Sequence, residues 1–475
     1  MAEAKLIKNT IYYSIGEILP RALSFILLPI YTAYLTPADY GIISYTQTVI
    51  MFLYVLGAFA LNTYVLRYYF IHEDEEERKS LLGTAQLTIL FLNTIIAALA
   101  FILMPDVIKY YKIQVPWDPY FRLAFIINFL ECLSVIPLVI YRVRQDAIKF
   151  VVLGLTRTFL TVGLTLYFLV VEKRGLLGSY QAQLYILLPF SIVYLGILKK
   201  YGRWIINWNY LKEGIRFSAP LIPGSICYIF LSMSDRIILE RYVNISDLGI
   251  YNIASQIALV LNIVIQSGYK SIEPELFRRF GKEGFYDFIR KVQSFFFSAI
   301  YISALLLTLY SQEVLFLMTS DSFHHAYLLI PALIIGVIMT GQNVIYGGIL
   351  QGEKRTKLQG TATVIGAFVS ISVNILLVPL FGTYAAAAAS AVSFIVMNTI
   401  LFCAMTFPGK SMIRETILVL LLPLISYSVF IVFKDVSIMG MTVKMVVVIL
   451  YMALAFKLLH VNIGQAKQLI LRANT

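Results

Sequence analysis

Apolar runs of about 20 residues, the length that crosses a bilayer core, recur along the whole chain with short polar stretches between them. In the first part they predict spans near 10–34, 42–66, 81–104, 121–141, 151–171, 180–198 and 217–239. The second part adds 250–272, 292–316, 326–350, 358–379, 383–407, 415–433 and 441–459. No run alternates with the period of two that marks a half-buried strand. The pattern therefore predicts an all-α, polytopic integral membrane protein with about 14 transmembrane helices. Three joins, near Tyr40, Gly249 and Thr383, are tight enough that turn chemistry decides where one helix stops.

Composition strengthens this picture. Of 475 residues, 59% are apolar and 13% charged, whereas a soluble domain carries about 25% charge, so a soluble enzyme is excluded. The opening MAEAKLIKNT runs into an apolar segment without a small-residue cleavage site, so the first span is expected to be retained. With the N-terminus inside, the basic residues divide 27 on the inner side to 7 on the outer, and Arg21, Arg122, Arg157 and Arg236 fall within spans. The positive-inside bias then puts both termini in the cytoplasm of a plasma (inner) membrane protein. It also explains the +12 net charge without nucleic acid.

A repeat organises the spans. IYTAYLTPADYGI at Ile30–Ile42 matches ILERYVNISDLGI at Ile238–Ile250 through Ile30/Ile238, Tyr34/Tyr242, Asp39/Asp247, Gly41/Gly249 and Ile42/Ile250, all offset by 208. Both copies fall at the outer turn between the first two spans of a six-span set, which makes the halves parallel. The expected organisation is an N-terminal six-helix lobe over 1–200, a C-terminal one over 201–408, and helices 13 and 14 over 409–475.

Ionisable residues inside spans are costly and by default face a cavity or each other. Glu17 and Arg21 stand four apart, acid first, the favoured spacing and sense for an ion pair on one helix face, and Pro20 between them predicts a kink. They form either a self-satisfied pair or a substrate site. Asp235 and Arg236, adjacent in SMSDRIILE, point about 100° apart on a helix, so no simple mutual pair is expected. Arg236 lies toward the outer end of its span, where an interfacial role competes. Arg157 sits about 9 Å inside its span, within snorkelling reach. Glu131, in NFLECLS, has no local cation; it is a candidate for proton coupling and equally a partner for an arginine elsewhere. Asn374 and Asp235, both in the second half, could supply oxygens to a cation. Arg67 reads as an inner anchor, EDEEE at 73–77 as a solvated loop, and the longest outer loop as 105–120. The segment 270–291 reads as an interfacial amphipathic helix starting after Pro274 and interrupted at Gly281 and Gly284. Cys132, Cys227 and Cys403 lie far apart, and only His324 and His325 are neighbouring histidines, so no disulfide framework or metal cluster is expected. Walker, GxSxG, HExxH and CxxC patterns are absent, so no cofactor is expected.

Four segments in order, LTPADYGI, SMSDR, GILQGEKRTK and NILLVPLFGTYAAAAA, resemble the bacterial and archaeal polysaccharide flippases of O-antigen, capsule and teichoic-acid pathways, members of the multidrug, oligosaccharidyl-lipid and polysaccharide exporter superfamily. The resemblance spans nearly the whole chain. It implies a flippase, not an enzyme, that moves a polyprenyl-(pyro)phosphate-linked oligosaccharide from the cytoplasmic to the outer leaflet by alternating access, coupled to a Na+ or H+ gradient. Its partners would be that lipid-linked oligosaccharide, membrane lipids and other polysaccharide-assembly membrane proteins. Arg21, Arg236 and Glu17 are the residues it carries over to the substrate. One departure is LTLYFLVVEKRG in the first half where the second has NILLVPLFGTYA, which confines an asparagine-based site to the second half. Competing readings are a multidrug or cation exporter of the same superfamily, a lipid II flippase, and a polysaccharide polymerase or ligase.

Overall fold

The computed structural model describes residues 12, 16, 18–20, 22–406, 413–433 and 436–459; Glu17 and Arg21 lie outside the described residues. Among the described residues every regular element is a helix. In order they are α1 (Leu28–Tyr34), α2 (Pro37–Ala58), α3 (Leu61–Tyr68), α4 (Glu75–Tyr111), α5 (Arg122–Glu131), α6 (Val135–Val143), α7 (Ala147–Leu166), α8 (Gly175–Tyr201), α9 (Trp208–Ser218) and α10 (Ile222–Tyr242). Then follow α11 (Ile245–Arg279), α12 (Phe285–Leu309), α13 (Ser311–Met318), α14 (Ile330–Gly352), α15 (Thr356–Ala404), α16 (Ile413–Val432) and α17 (Ile438–Leu458). Eleven helical stretches among the described residues are long and apolar enough to span a membrane. One of them, α15, holds two expected spans: its backbone leaves the helix at Gly382 (φ 57°, ψ −132°), a conformation only glycine adopts easily.

The tight joins resolve into specific turns. Thr36 caps α2: its hydroxyl accepts the Asp39 N–H at 3.2 Å while the Asp39 carboxylate accepts the Thr36 N–H at 2.8 Å, and Pro37 occupies a first-turn position that needs no donor. The next break is Phe59–Ala60, both at positive φ, which divides the predicted span 42–66 into α2 and α3.

The repeat holds in the backbone. α1 ends at Tyr34 and α2 starts at Pro37, and 208 residues later α10 ends at Tyr242 and α11 starts at Ile245. Left-handed residues recur at nearly the same offset, Gln145 (φ 55°) with Lys354 (φ 59°) and Gly175 (φ 56°) with Gly382 (φ 57°). The first pair shares no residue type, while the second is glycine in both copies.

Three connectors depart from expectation. α11 continues through Pro274 to Arg279, so the stretch 270–291 is not a separate interfacial helix; it extends one span, turns over Gly281 and Gly284, both at positive φ, and starts the next helix at Phe285. α4 likewise passes through Pro105 to Tyr111, which shortens the outer loop expected over 105–120. A proline removes one hydrogen bond, and an apolar helix in a bilayer tolerates that better than an unpaired strand of loop. At the other end of α4, Asp74 caps the helix and Glu75, Glu76 and Glu77 form its first turn. The acidic run is thus exposed but helical, where it complements the helix dipole.

The chain divides into two compact units, Met1–Ile229 and Phe230–Thr475. In the first, the connector after α8 is tied onto α4: Arg203 N–H donates to Lys79 O at 2.9 Å, Asn207 N–H to Thr84 Oγ1 at 3.0 Å, and a Cβ on Gly83 would lie 1.7 Å from the Arg203 carbonyl oxygen. In the second, α14 is the most enclosed span. It packs on α15 beyond the Gly382 kink, where Ala385, Ala386, Ala387, Ala389 and Ala391 are buried and their small side chains let backbones approach closely. α16 and α17 both pack on α12.

Candidate functional site

Arg157–Glu131, Arg236–Asp235 and Lys444–Glu313 are ion pairs set among apolar helices, and they differ in how far they are sealed. In the first unit, Glu131 ends α5, about 14 residues into the apolar stretch 117–143, and Arg157 lies about ten residues into α7, so both stand roughly 15–20 Å along their spans. The Arg157 guanidinium grips the Glu131 carboxylate with both ends of its fork, Nη1 to Oε2 at 2.9 Å and Nη2 to Oε1. The Tyr194 hydroxyl of α8 lies against the same guanidinium, and Tyr54 of α2 stands near the carboxylate. Arg157 therefore neither snorkels as a lone cation nor leaves Glu131 without one: the two singled-out residues are each other's partner. Their side chains keep 27% and 31% of their surface exposed. A charge at mid-membrane depth facing lipid costs about 2.5–3.5 kcal/mol on insertion scales, and pairing offsets part of that cost.

In the second unit, Asp235 and Arg236 do pair, contrary to the sequence expectation. The Asp235 Oδ1 accepts both the Arg236 backbone N–H at 2.8 Å and its Nη1 at 3.1 Å. The 100° separation is bridged because the arginine stem folds back along the helix while the short aspartate turns to its neighbour's backbone. Tyr251 of α11 donates its hydroxyl to Asp235 Oδ2, and the guanidinium carbon lies 5.7 Å from the Tyr251 ring centre. Exposures of 11% and 4% make this a closed cluster. Arg236 is thus not an interfacial side chain reaching for headgroups.

Asn374, on α15, is fully buried; its amide donates to Ser370 O at 2.8 Å and its Oδ1 has no partner. Ser370 and Ser234 hydroxyls meet at 3.2 Å, which joins the helices that carry Asn374 and Asp235 beside those residues. The Asp235 carboxylate itself is taken by Tyr251 and Arg236. Among the described residues no group of three His, Cys, Asp or Glu could hold a metal ion.

The third pair was not singled out from the sequence; it centres on Lys444. It is buried on α17, its Nζ 2.6 Å from Glu313 Oε1 and 3.0 Å from Gln312 Oε1, 5.9 Å from the Phe430 ring centre. The signal was a lone lysine inside MTVKMVVVI, with its acid in SQEVLF 131 residues earlier.

The folded chain resembles solved transporters. The inward closed conformation of the lipid II flippase MurJ matches with TM-score 0.70 at 14% identity, covering 94% of this chain and 98% of that one. An inward-facing multidrug resistance MATE family transporter of the MOP superfamily matches with TM-score 0.65 at 12% identity, covering 83% and 96%. The molecule is thus a multi-pass membrane protein with a flippase or transporter fold. The family described as "Polysaccharide biosynthesis protein" matches residues 6–274, more than half of the chain, and MatE matches 220–376. The chain belongs to the polysaccharide biosynthesis protein family. A curated relative, Lsg locus putative protein 1 of Haemophilus influenzae, is 23% identical over 332 residues, 67% of this chain and 78% of that protein.

Proposed function

We propose that this protein moves a polyprenyl-(pyro)phosphate-linked oligosaccharide from the cytoplasmic to the outer leaflet of the plasma membrane, with both termini in the cytoplasm. The supporting observation is the partly exposed, two-pronged Arg157–Glu131 pair at mid-membrane depth, inside the region that matches the polysaccharide biosynthesis family. A phosphate crossing about 30 Å of hydrocarbon needs a counter-charge, and arginine supplies a permanent, bidentate one. Cation exporters would favour unpaired acids instead. Among structures of this fold, MATE family transporters are described in inward-facing and in outward-facing conformations, which supports alternating access here. Arg21, Arg236 and Glu17 are further substrate-binding positions in this reading, and Asp235, Asn374 and Glu131 are coupling positions for Na+ or H+. The likeness to a lipid II flippase supports a second reading in which the lipid-linked headgroup is that one.

The test is flipping of fluorescent lipid-linked oligosaccharides in reconstituted vesicles, read by the fraction reached by an impermeant quencher or glycosidase. A Glu17/Arg21 double change to apolar residues should fold and fail to flip if Arg21 holds phosphate. Full flipping by that variant would remove Arg21 from the substrate, and vesicles in which the wild-type protein moves cationic dyes but no lipid-linked sugar would favour the exporter.

A further inference from the structure

Of the three ion pairs, two are sealed: Lys444 and Glu313 keep 2% and 13% of their side-chain surface, Arg236 and Asp235 11% and 4%. The Arg157–Glu131 pair keeps 27% and 31%. Closing a pair off from water screens it less and keeps other ligands from competing for its charges. This one is only partly closed. Yet the two parallel N–H groups that form the arginine's fork are both held by one carboxylate in this state.

We infer that Glu131 is a proton-operated gate on Arg157: it occupies the guanidinium fork while the site is empty, and yields it to a substrate phosphate by taking up one proton from water. The inference rests on the flippase reading and assigns the coupling step to one carboxylate of that site. The charges balance. The pair sums to zero when closed; adding a proton to the Glu131 carboxylate leaves the site at +1, which meets one phosphate charge. The protonated carboxyl then becomes a hydrogen-bond donor that can turn to the same phosphate. Release reverses the steps, and the carboxylate reclaims Arg157 as its proton leaves to water. The geometry suits such an exchange, because guanidinium binds carboxylate and phosphate through the same planar fork.

The titratable and charged groups facing Glu131 among the described residues are Tyr54 from α2, Cys132 beside it, Arg157 from α7 and Tyr194 from α8. From α4, Gln86 comes close, its amide donating to the Cys132 carbonyl at 3.2 Å. Arg157 is the one cation in that set, so a carboxylate that lets it go has no second positive partner there.

The experiment uses the purified full-length protein in detergent and farnesyl-diphosphoryl-N-acetylglucosamine, a short-chain lipid-linked sugar whose two phosphates are both esterified and exchange no proton near neutrality. Binding is measured calorimetrically at pH 7 in two buffers of different ionisation enthalpy, which gives the protons taken up. Wild-type protein should take up about one proton per ligand, and its affinity should rise toward low pH by up to about tenfold per unit. Glu131→Gln, which imitates the protonated gate, should bind at least about tenfold tighter at pH 7 and take up none. Arg157→Gln in the Glu131→Gln background removes the fork without stranding a charge and should lose that gain. Binding by wild-type protein without proton uptake overturns the gate whether or not any variant folds, as does an equal affinity in Glu131→Gln. Failure of both proteins to bind the probe removes phosphate from this pair altogether. Flipping unchanged in Glu131→Gln sinks the gate and spares the flippase; proton-linked binding without flipping does the reverse.

Discussion

Replacing Lys444 with Met should destabilise the second unit without touching the open pair in the first. The ammonium is almost wholly enclosed, with Glu313 and Gln312 as its acceptors at 2.6 and 3.0 Å. Removing one partner of a buried ion pair typically costs about 3–5 kcal/mol, because the other charge is stranded. Here the lower end applies, for two reasons. Glu313 keeps a little water contact, and Met restores most of the aliphatic stem that Lys444 lays among its neighbours. At about 2–4 °C per kcal/mol for a unit of this size, a 3 kcal/mol loss lowers the melting point by roughly 6–12 °C. Glu313 Oε2 is buried with no partner even in the intact pair, so the acid cannot rescue itself through an existing bond. The double change Lys444→Met with Glu313→Met removes both charges and should recover most of the loss, since apolar replacement of a whole buried pair is often neutral or stabilising. The assay is thermal unfolding in detergent, followed by a fluorescent thiol probe and by loss of the monodisperse chromatographic peak. A single variant that melts within 2 °C of wild type would refute the reasoning and make Lys444 a bystander.

Other consequences can be checked separately. Gly83→Ala should sharply lower the yield of folded protein, since its Cβ would fall 1.7 Å from a backbone oxygen that cannot turn aside, whereas Gly154→Ala and Gly163→Ala, with nothing within 4 Å, should fold as well as wild type; equal yields of all three would contradict the packing of the connector on α4. Single cysteines at positions 39 and 247 should both react with an impermeant maleimide added to intact cells, and cysteines at 73–77 should not; labelling at one turn and not the other would break the parallel repeat. Purified protein given lipid-linked repeat units should lengthen no glycan, and an elongated product on a gel would move the protein to the polymerases.

Much was legible without coordinates, because a bilayer allows few answers. Twenty-residue apolar runs must be helices to satisfy their own backbones, so the all-helical class followed from the sequence. So did the repeat, through the identities Ile30/Ile238, Tyr34/Tyr242, Asp39/Asp247, Gly41/Gly249 and Ile42/Ile250 around the same helix-to-helix turn. Glu131 and Arg157 were each conspicuous as charges inside apolar runs. Their union was not: they are 26 residues apart on different helices, and only packing brings one opposite the other. The Asp235–Arg236 pair was misjudged from helical angles, because side-chain length and the third partner, Tyr251, decide that contact. Lys444 found its acid 131 residues away for the same reason. Helix continuation through Pro105 and Pro274 was equally out of reach, because a proline's cost is local while the packing and lipid that outweigh it come from the rest of the fold. Sequence thus determined which charges a membrane must account for. Tertiary structure decided which are closed against each other, and left the Glu131–Arg157 pair partly exposed.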